Sequence, residues 1–122
     1  MCEMLLSINP KYVEKIINGE KIYEFRKTKT KRIPDKIIIY CTSPIMKVIG
    51  EAEVAEVLID TPQNIWVETR ALGGVDEEFF FKYYNDKEVA VAYKLKNIKK
   101  YKKEKKLSDY GLKVAPQSFV YL

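Results

Sequence analysis

Histidine is absent from these 122 residues. That excludes Ser-His-Asp and Cys-His catalysis, the HExxH zinc sites and histidine-based nuclease chemistry. Any catalysis must use lysine, carboxylate, hydroxyl or thiol. Cysteine is scarce too. Cys2 and Cys41 form no CxxC and are too few for a disulfide scaffold, so reduced thiols and a cytoplasmic location are expected. A zinc cage on two distant cysteines would also need two carboxylates; no metal and no cofactor are expected. No apolar run is long enough to cross a bilayer. The opening MCEMLLSINP lacks a basic n-region and its apolar run is very short, so no signal peptide is expected, and no membrane partner either. Repeats, low-complexity tails and Pro/Gly/Ser-rich linkers are missing as well. Residues 1–122 therefore read as a single domain, large enough to bury a core without metal or disulfides.

What is present is charge of one sign, in two clusters. The formal net charge is +5. KLKNIKKYKKEKK, Lys94 to Lys106, holds eight lysines and one glutamate; RKTKTKR, Arg26 to Arg32, holds five basic residues and no acid. Lys27, Lys29, Lys31 and Arg32 from one cluster, and Lys99, Lys100 and Lys102 from the other, form a footprint for a phosphate backbone. The alternative is a solvated basic face.

The hydrophobic pattern alternates between strand and helix periods. EMLLSI reads as a first strand. Asn9 and Pro10 then supply an N-cap and a first helical residue, and Tyr12, Val13, Ile16 and Ile17 make an apolar stripe ending at Gly19. KIIIYC is a buried strand. In KVIGEAEVAEVLI, Lys47 to Ile59, the alternation slips at Ala55, which predicts a bulge that bends the strand. PQNIWVETRA, opened by Thr61-Pro62 and closed by Gly73-Gly74, and DEEFFFKYYN are short helices. The second has Phe79, Phe80, Tyr83 and Tyr84 on one side and Phe81 pointing away. EVAVAYKLKNI, Glu88 to Ile98, alternates with Val89, Val91, Tyr93 and Leu95 facing one way, and QSFVYL is a last strand. The expected fold is α+β and mostly β: a small barrel of five or six strands, one helix after the first strand and short helices inserted mid-chain.

NGEKIYEFRK, Asn18 to Lys27, runs from the first helix into a strand. Strand alternation puts Glu24 and Arg26 on one face and Tyr23 and Phe25 on the other. Gly19-x-Lys21-x-x-Glu24-x-Arg26 resembles the GxKxxExR signature of the ASCH domain, a member of the PUA-like β-barrel superfamily. YCTSPIMKVIGEAEVAEV resembles the strand–loop–strand that follows it there, APQSFVYL the closing segment, and the helical middle with Trp66 one branch of the family. The resemblance implies a PUA-like barrel with a cleft between the first helix and the sheet, floored by the motif. It implies RNA or another nucleic acid, or a nucleotide-like ligand, as partner. Some members of the family remove the acyl group from acetylated cytidine, and another group is assigned ribonuclease activity. In the deacylating group a lysine matching Lys21, a threonine at the position of Glu24 and a more distant glutamate act. This chain keeps the lysine and has Glu24 where the threonine would stand. The family more often carries a basic residue where Val120 lies.

Each motif residue has a structural and a functional role to choose between. Lys21 is either a helix C-terminal lysine, its charge favoured by the dipole, or a cation over the cleft, able to move a proton if desolvated. Glu24 and Arg26 are an ion pair bracing the cleft wall, a ligand floor, or both. As floor, the carboxylate accepts from a base amino group and the guanidinium grips phosphate. Lys21 and Glu24 are the catalytic pair if the protein is an enzyme. Tyr40, Trp66, Phe81 and Tyr101 are candidates for a base-stacking platform. Ser43, Gln117 and Ser118, together with Thr42, offer hydrogen bonds from loops. The leading expectation is a nucleic-acid-binding module. The alternatives are a small amidohydrolase or ribonuclease at the same cleft, and a transcription-related regulator that uses a basic surface.

Overall fold

The computed structural model describes residues 2–122. In chain order it contains β1 (Glu3–Ile8), α1 (Pro10–Ile17), β2 (Tyr23–Arg26), β3 (Lys36–Cys41), β4 (Lys47–Asp60), α2 (Pro62–Thr69), α3 (Glu77–Tyr83), β5 (Ala90–Lys105), a 3-10 turn (Leu107–Tyr110) and β6 (Phe119–Tyr121). The six strands form one curled, half-barrel sheet in the order β2-β5-β4-β3-β1-β6. β1 and β3 run parallel, and the other neighbours antiparallel. Among the described residues no helix is long and apolar enough to cross a membrane.

Local chemistry sets the elements much as the pattern implies. Asn9 caps α1 by accepting from the Lys11 amide at 2.9 Å, and Pro10 starts it. Val13 and Ile16 of α1 are buried, each contributing about 1.5–3 kcal/mol of apolar burial. Gly19, with φ +81°, turns the chain toward β2. Thr61 and Asp76 cap α2 and α3. The α2 helix ends at Thr69, ahead of the predicted glycines, and a short linker carries the chain over the sheet to α3.

The slip at Ala55 is a real irregularity: the β4–β5 register shifts between Val54 and Glu56, and again near Val48/Gly50 and Glu51/Glu53. Gly50 sits at one of these shifts. A Cβ there would run into the Lys99 carbonyl, so the close approach of β4 to β5 requires glycine. β5 departs from the expected strand at both ends. It starts at Ala90, leaving Val89 exposed, and continues to Lys105, through the lysine cluster. The lysines tolerate strand structure because β4 faces them with acids: Glu51 opposes Lys99, Glu53 opposes Lys96, and Glu56 lies in register with Lys94. Ala90 and Ala92 are buried along with Val91, Tyr93 and Leu95. Helices α2 and α3 cover the second face there, so alternation gives way to continuous burial.

Curling brings the two edge strands, β2 and β6, toward each other. No ladder joins them. Side chains do: Arg26 of β2 donates to Ser118 Oγ at 3.0 Å, beside β6, and to the Ser7 carbonyl of β1 at 3.2 Å. Further along, the Arg32 guanidinium lies 4.0 Å from the Tyr121 ring centroid, and the Tyr121 hydroxyl meets the Arg32 backbone.

Candidate functional site

The turn after α1 directs Lys21 inward. Backbone amides of Glu20 and Lys21 both donate to the Lys15 carbonyl, and the Ile22 amide donates to the Leu72 carbonyl at 2.9 Å. Lys21 ends only 2 % exposed. Its Nζ donates to the Gly73 carbonyl at 2.6 Å and lies 4.6 Å from the Phe25 ring centroid and 5.4 Å from that of Tyr12. Gly74, with φ +73°, is pressed against the lysine stem: a Cβ there would come within 2.8 Å of Lys21 Cβ. Burial therefore outweighs the helix dipole. It lowers the Lys21 pKa from 10.5 to about 8, with the Glu24 carboxylate opposing the fall and the Lys15 and Arg26 cations adding to it.

Glu24 and Arg26 share one face of β2, as alternation requires, and pair at 2.8 Å. The pair uses Glu24 Oε2; Oε1 has no hydrogen-bond partner among the described residues. The buried Nε of Arg26 likewise has none. Arg26 thus braces the seam with its two Nη atoms, while its Nε stays buried without a partner.

Lys21, Glu24 and Arg26 line one cavity of about 120 Å³, walled by Tyr12, Phe25, Phe79, Phe80 and Tyr83. That is about four waters' worth of liquid volume, room for a single ring. On the far side of Arg26 a second hollow of about 160 Å³ is lined by Lys27, Thr28, Thr30 and Ser118, and shares Tyr83.

The remaining predicted residues scatter. Lys27 Nζ sits 4.8 Å from the Tyr83 ring centroid. Lys29 and Lys31 are exposed on the loop after β2. Ser43 lies exposed in the β3–β4 turn and Gln117 exposed before β6; neither lines the Lys21 cavity or the hollow beside it. Lys99, Lys100 and Lys102 sit together on the distal half of β5. The expected stacking residues are placed elsewhere. Tyr40 is buried, Phe81 packs on Trp66 at 6.1 Å rather than pointing away, and the Tyr101 hydroxyl donates to Glu51 at 2.8 Å. The aromatics at the cavity are instead Tyr12, Phe25, Phe79, Phe80 and Tyr83, and of these Tyr12, Phe79 and Tyr83 are not fully buried. Phe79 is 44 % exposed and stacks on Tyr83 at 6.3 Å. Their i, i+4 spacing on α3 was visible in the sequence, but which side of α3 the sheet would cover was not. Among the described residues no group of three Cys, Asp or Glu side chains is placed to hold a metal ion.

A curled six-stranded sheet, with a polar-floored cavity between its first helix and an edge strand, defines a PUA-like β-barrel protein. The chain belongs to the ASCH domain family, whose model matches residues 6–113 and stops short of the closing APQSFVYL segment. The crystal structure of ASCH from Zymomonas mobilis has the same fold, with a TM-score of 0.88 at 24% identity, covering 98% of this chain and 87% of that one. An "ASCH domain-containing ribonuclease" of Zymomonas mobilis is 28% identical over 100 residues, 78% of this chain and 65% of the relative. Two proteins of Ureaplasma parvum also match over 98% of this chain: large ribosomal subunit protein uL22, at 30% identity, and ATP synthase subunit alpha, at 26%. The chain spans only 39% and 15% of the lengths of those two relatives.

Proposed function

We propose that the protein binds RNA or a nucleotide-like ligand, with one base held in the Lys21 cavity. Convergence of Lys21, Glu24 and Arg26 on a single aromatic-walled cavity carries this reading. Glu24 Oε1 accepts from an exocyclic amino group, the Arg26 guanidinium paired with Glu24 supplies positive charge beside the base, and the rings of Tyr12, Phe79 and Tyr83 pack on the base faces. The exposed lysines at 27, 29 and 31, and those at 99, 100 and 102, track phosphates of a longer strand. Residues 1–122 act here as one unit, in the cytoplasm, where Cys2 and Cys41 stay reduced. The ribonuclease name of a relative supports RNA as the ligand class. Titration with single-stranded RNA at low salt tests the reading: binding that Glu24→Gln weakens supports it, and no binding removes it.

One observation favours a catalytic version. A lysine with a pKa of about 8 holds a usable neutral fraction near physiological pH, and amines in that range serve as general bases. Assays with short RNAs and acylated cytidine, comparing the wild type with Lys21→Ala, decide it. Turnover that survives this change removes Lys21 from the chemistry.

A further inference from the structure

The Lys21 cavity has a larger neighbour. A hollow of about 430 Å³ opens between α1 and the α2–α3 linker, and Tyr12, Val75 and Phe79 line both spaces. Its cations are Lys11 and Lys15, one turn apart on α1, and Arg70, just past the end of α2. Two carboxylates, Glu20 and Asp76, line it as well. Neither forms an ion pair with the cations, which outnumber the carboxylates by one. The ion pairs among the described residues are Arg26–Glu24, Lys36–Glu51 and Lys94–Glu56, all elsewhere. Asp76 uses Oδ1 to cap α3, accepting from the Phe79 amide at 2.7 Å. Lys15 is held in place by donating to the Gly74 carbonyl at 2.8 Å, and its ammonium keeps further protons to donate. Lys11 Nζ lies 5.9 Å from the Tyr12 ring centroid and Lys21 Nζ 5.4 Å from it. The shared partition is therefore flanked by an ammonium from each space.

We propose that this hollow is an anion subsite for the nucleotide whose base occupies the Lys21 cavity, taking a phosphate on Lys11, Lys15 and Arg70. The inference rests on the nucleobase reading above. It adds three residues that the motif does not contain and sets the direction of the ligand. The sugar passes over the edge formed by the Tyr12 and Phe79 rings, which are in contact at 6.0 Å between centroids, and its phosphate leaves toward α1. A guanidinium and two ammonium groups around one opening suit a phosphate's several acceptor oxygens, because charge-assisted hydrogen bonds are the strong ones.

Calorimetric titration at low salt compares cytidine, its 5′- and 3′-monophosphates and inorganic phosphate. The proteins are the wild type, a Lys11→Ala/Arg70→Ala double variant, and a Lys87→Ala/Lys113→Ala control of equal charge; all four positions are exposed. One monophosphate should bind the wild type at least about tenfold more tightly than cytidine. That ratio should fall to near one in the double variant and persist in the control. Inorganic phosphate should compete with the monophosphate and not with cytidine. Equal binding of cytidine and both monophosphates, or a ratio that survives in the double variant, overturns the subsite and leaves the base cavity standing. Failure of cytidine and the monophosphates alike to bind overturns the base reading and the subsite with it.

Discussion

At the scale of single residues, Lys21 is placed among ring faces and glycine backbone, where its charged form loses hydration and gains one carbonyl partner. Its pKa falls to about 8 in the folded chain, whereas the unfolded chain keeps the ordinary value near 10.5. Between those values the unfolded state binds the extra proton, so this residue makes stability rise with pH from about 8 to about 10.5. The gain is on the order of 2–3 kcal/mol. Urea denaturation at pH 7.5 and pH 10 should show it in the wild type and not in Lys21→Met; parallel behaviour of the two would mean the lysine is solvated. The Glu24–Arg26 pair separates differently. Arg26→Ala removes the bonds to Ser118 and Ser7 and leaves a largely buried carboxylate unpaired, costing about 2–4 kcal/mol in denaturation. Glu24→Gln keeps a hydrogen-bonding group of the same shape, so it should lose ligand discrimination with a smaller loss of stability. A larger stability loss for Glu24→Gln than for Arg26→Ala would contradict the seam-bracing role. The pairing was legible in the sequence because strand alternation is a local rule. The burial of Lys21 was not, since the glycines that enclose it arrive some fifty positions later.

Among elements, β4 and β5 do most to shape the molecule. The broken alternation at Ala55 announced one of their irregularities, because a bulge shifts the inward-facing phase of the strand itself. The irregularity around Gly50 left no such trace: glycine there answers to the Lys99 carbonyl of the neighbouring strand. Gly50→Ala should therefore destabilise by about 1–3 kcal/mol through overpacking, read as a lowered denaturation midpoint with an unchanged m-value. A neutral result would show that the strands can part at no cost. Helix α3 makes a similar point. Its aromatic content promised a packed face, yet the sheet and α2 bury Phe80 and Tyr84, and Phe79 and Tyr83 join the edge of Phe80 in walling the cavity.

For the whole molecule, charge is distributed over distances that a mononucleotide cannot span. Tyr93, the register partner of Glu24, and Lys100 are seven residues apart on β5, roughly 23 Å at about 3.3 Å per residue. A ligand touching both the cavity and the distal lysines must be an extended strand. Reversing Lys99, Lys100 and Lys102 to glutamate should flatten the salt dependence of RNA binding, by about 0.7 in log–log slope for each phosphate that is no longer neutralised. The affinity of a mononucleotide should not change; if it does, the two regions are closer than the strand length allows. Composition and local pattern by themselves determined the strand and helix types, the caps, the absence of histidine chemistry and the shared face of Glu24 and Arg26. All of these are set by residues within a few positions of one another. Only the tertiary structure decided that Lys21 is buried, that Tyr12, Phe79 and Tyr83 wall the cavity, and that Arg26 closes the sheet. Each of those depends on segments far apart in the chain being brought together when the sheet curls.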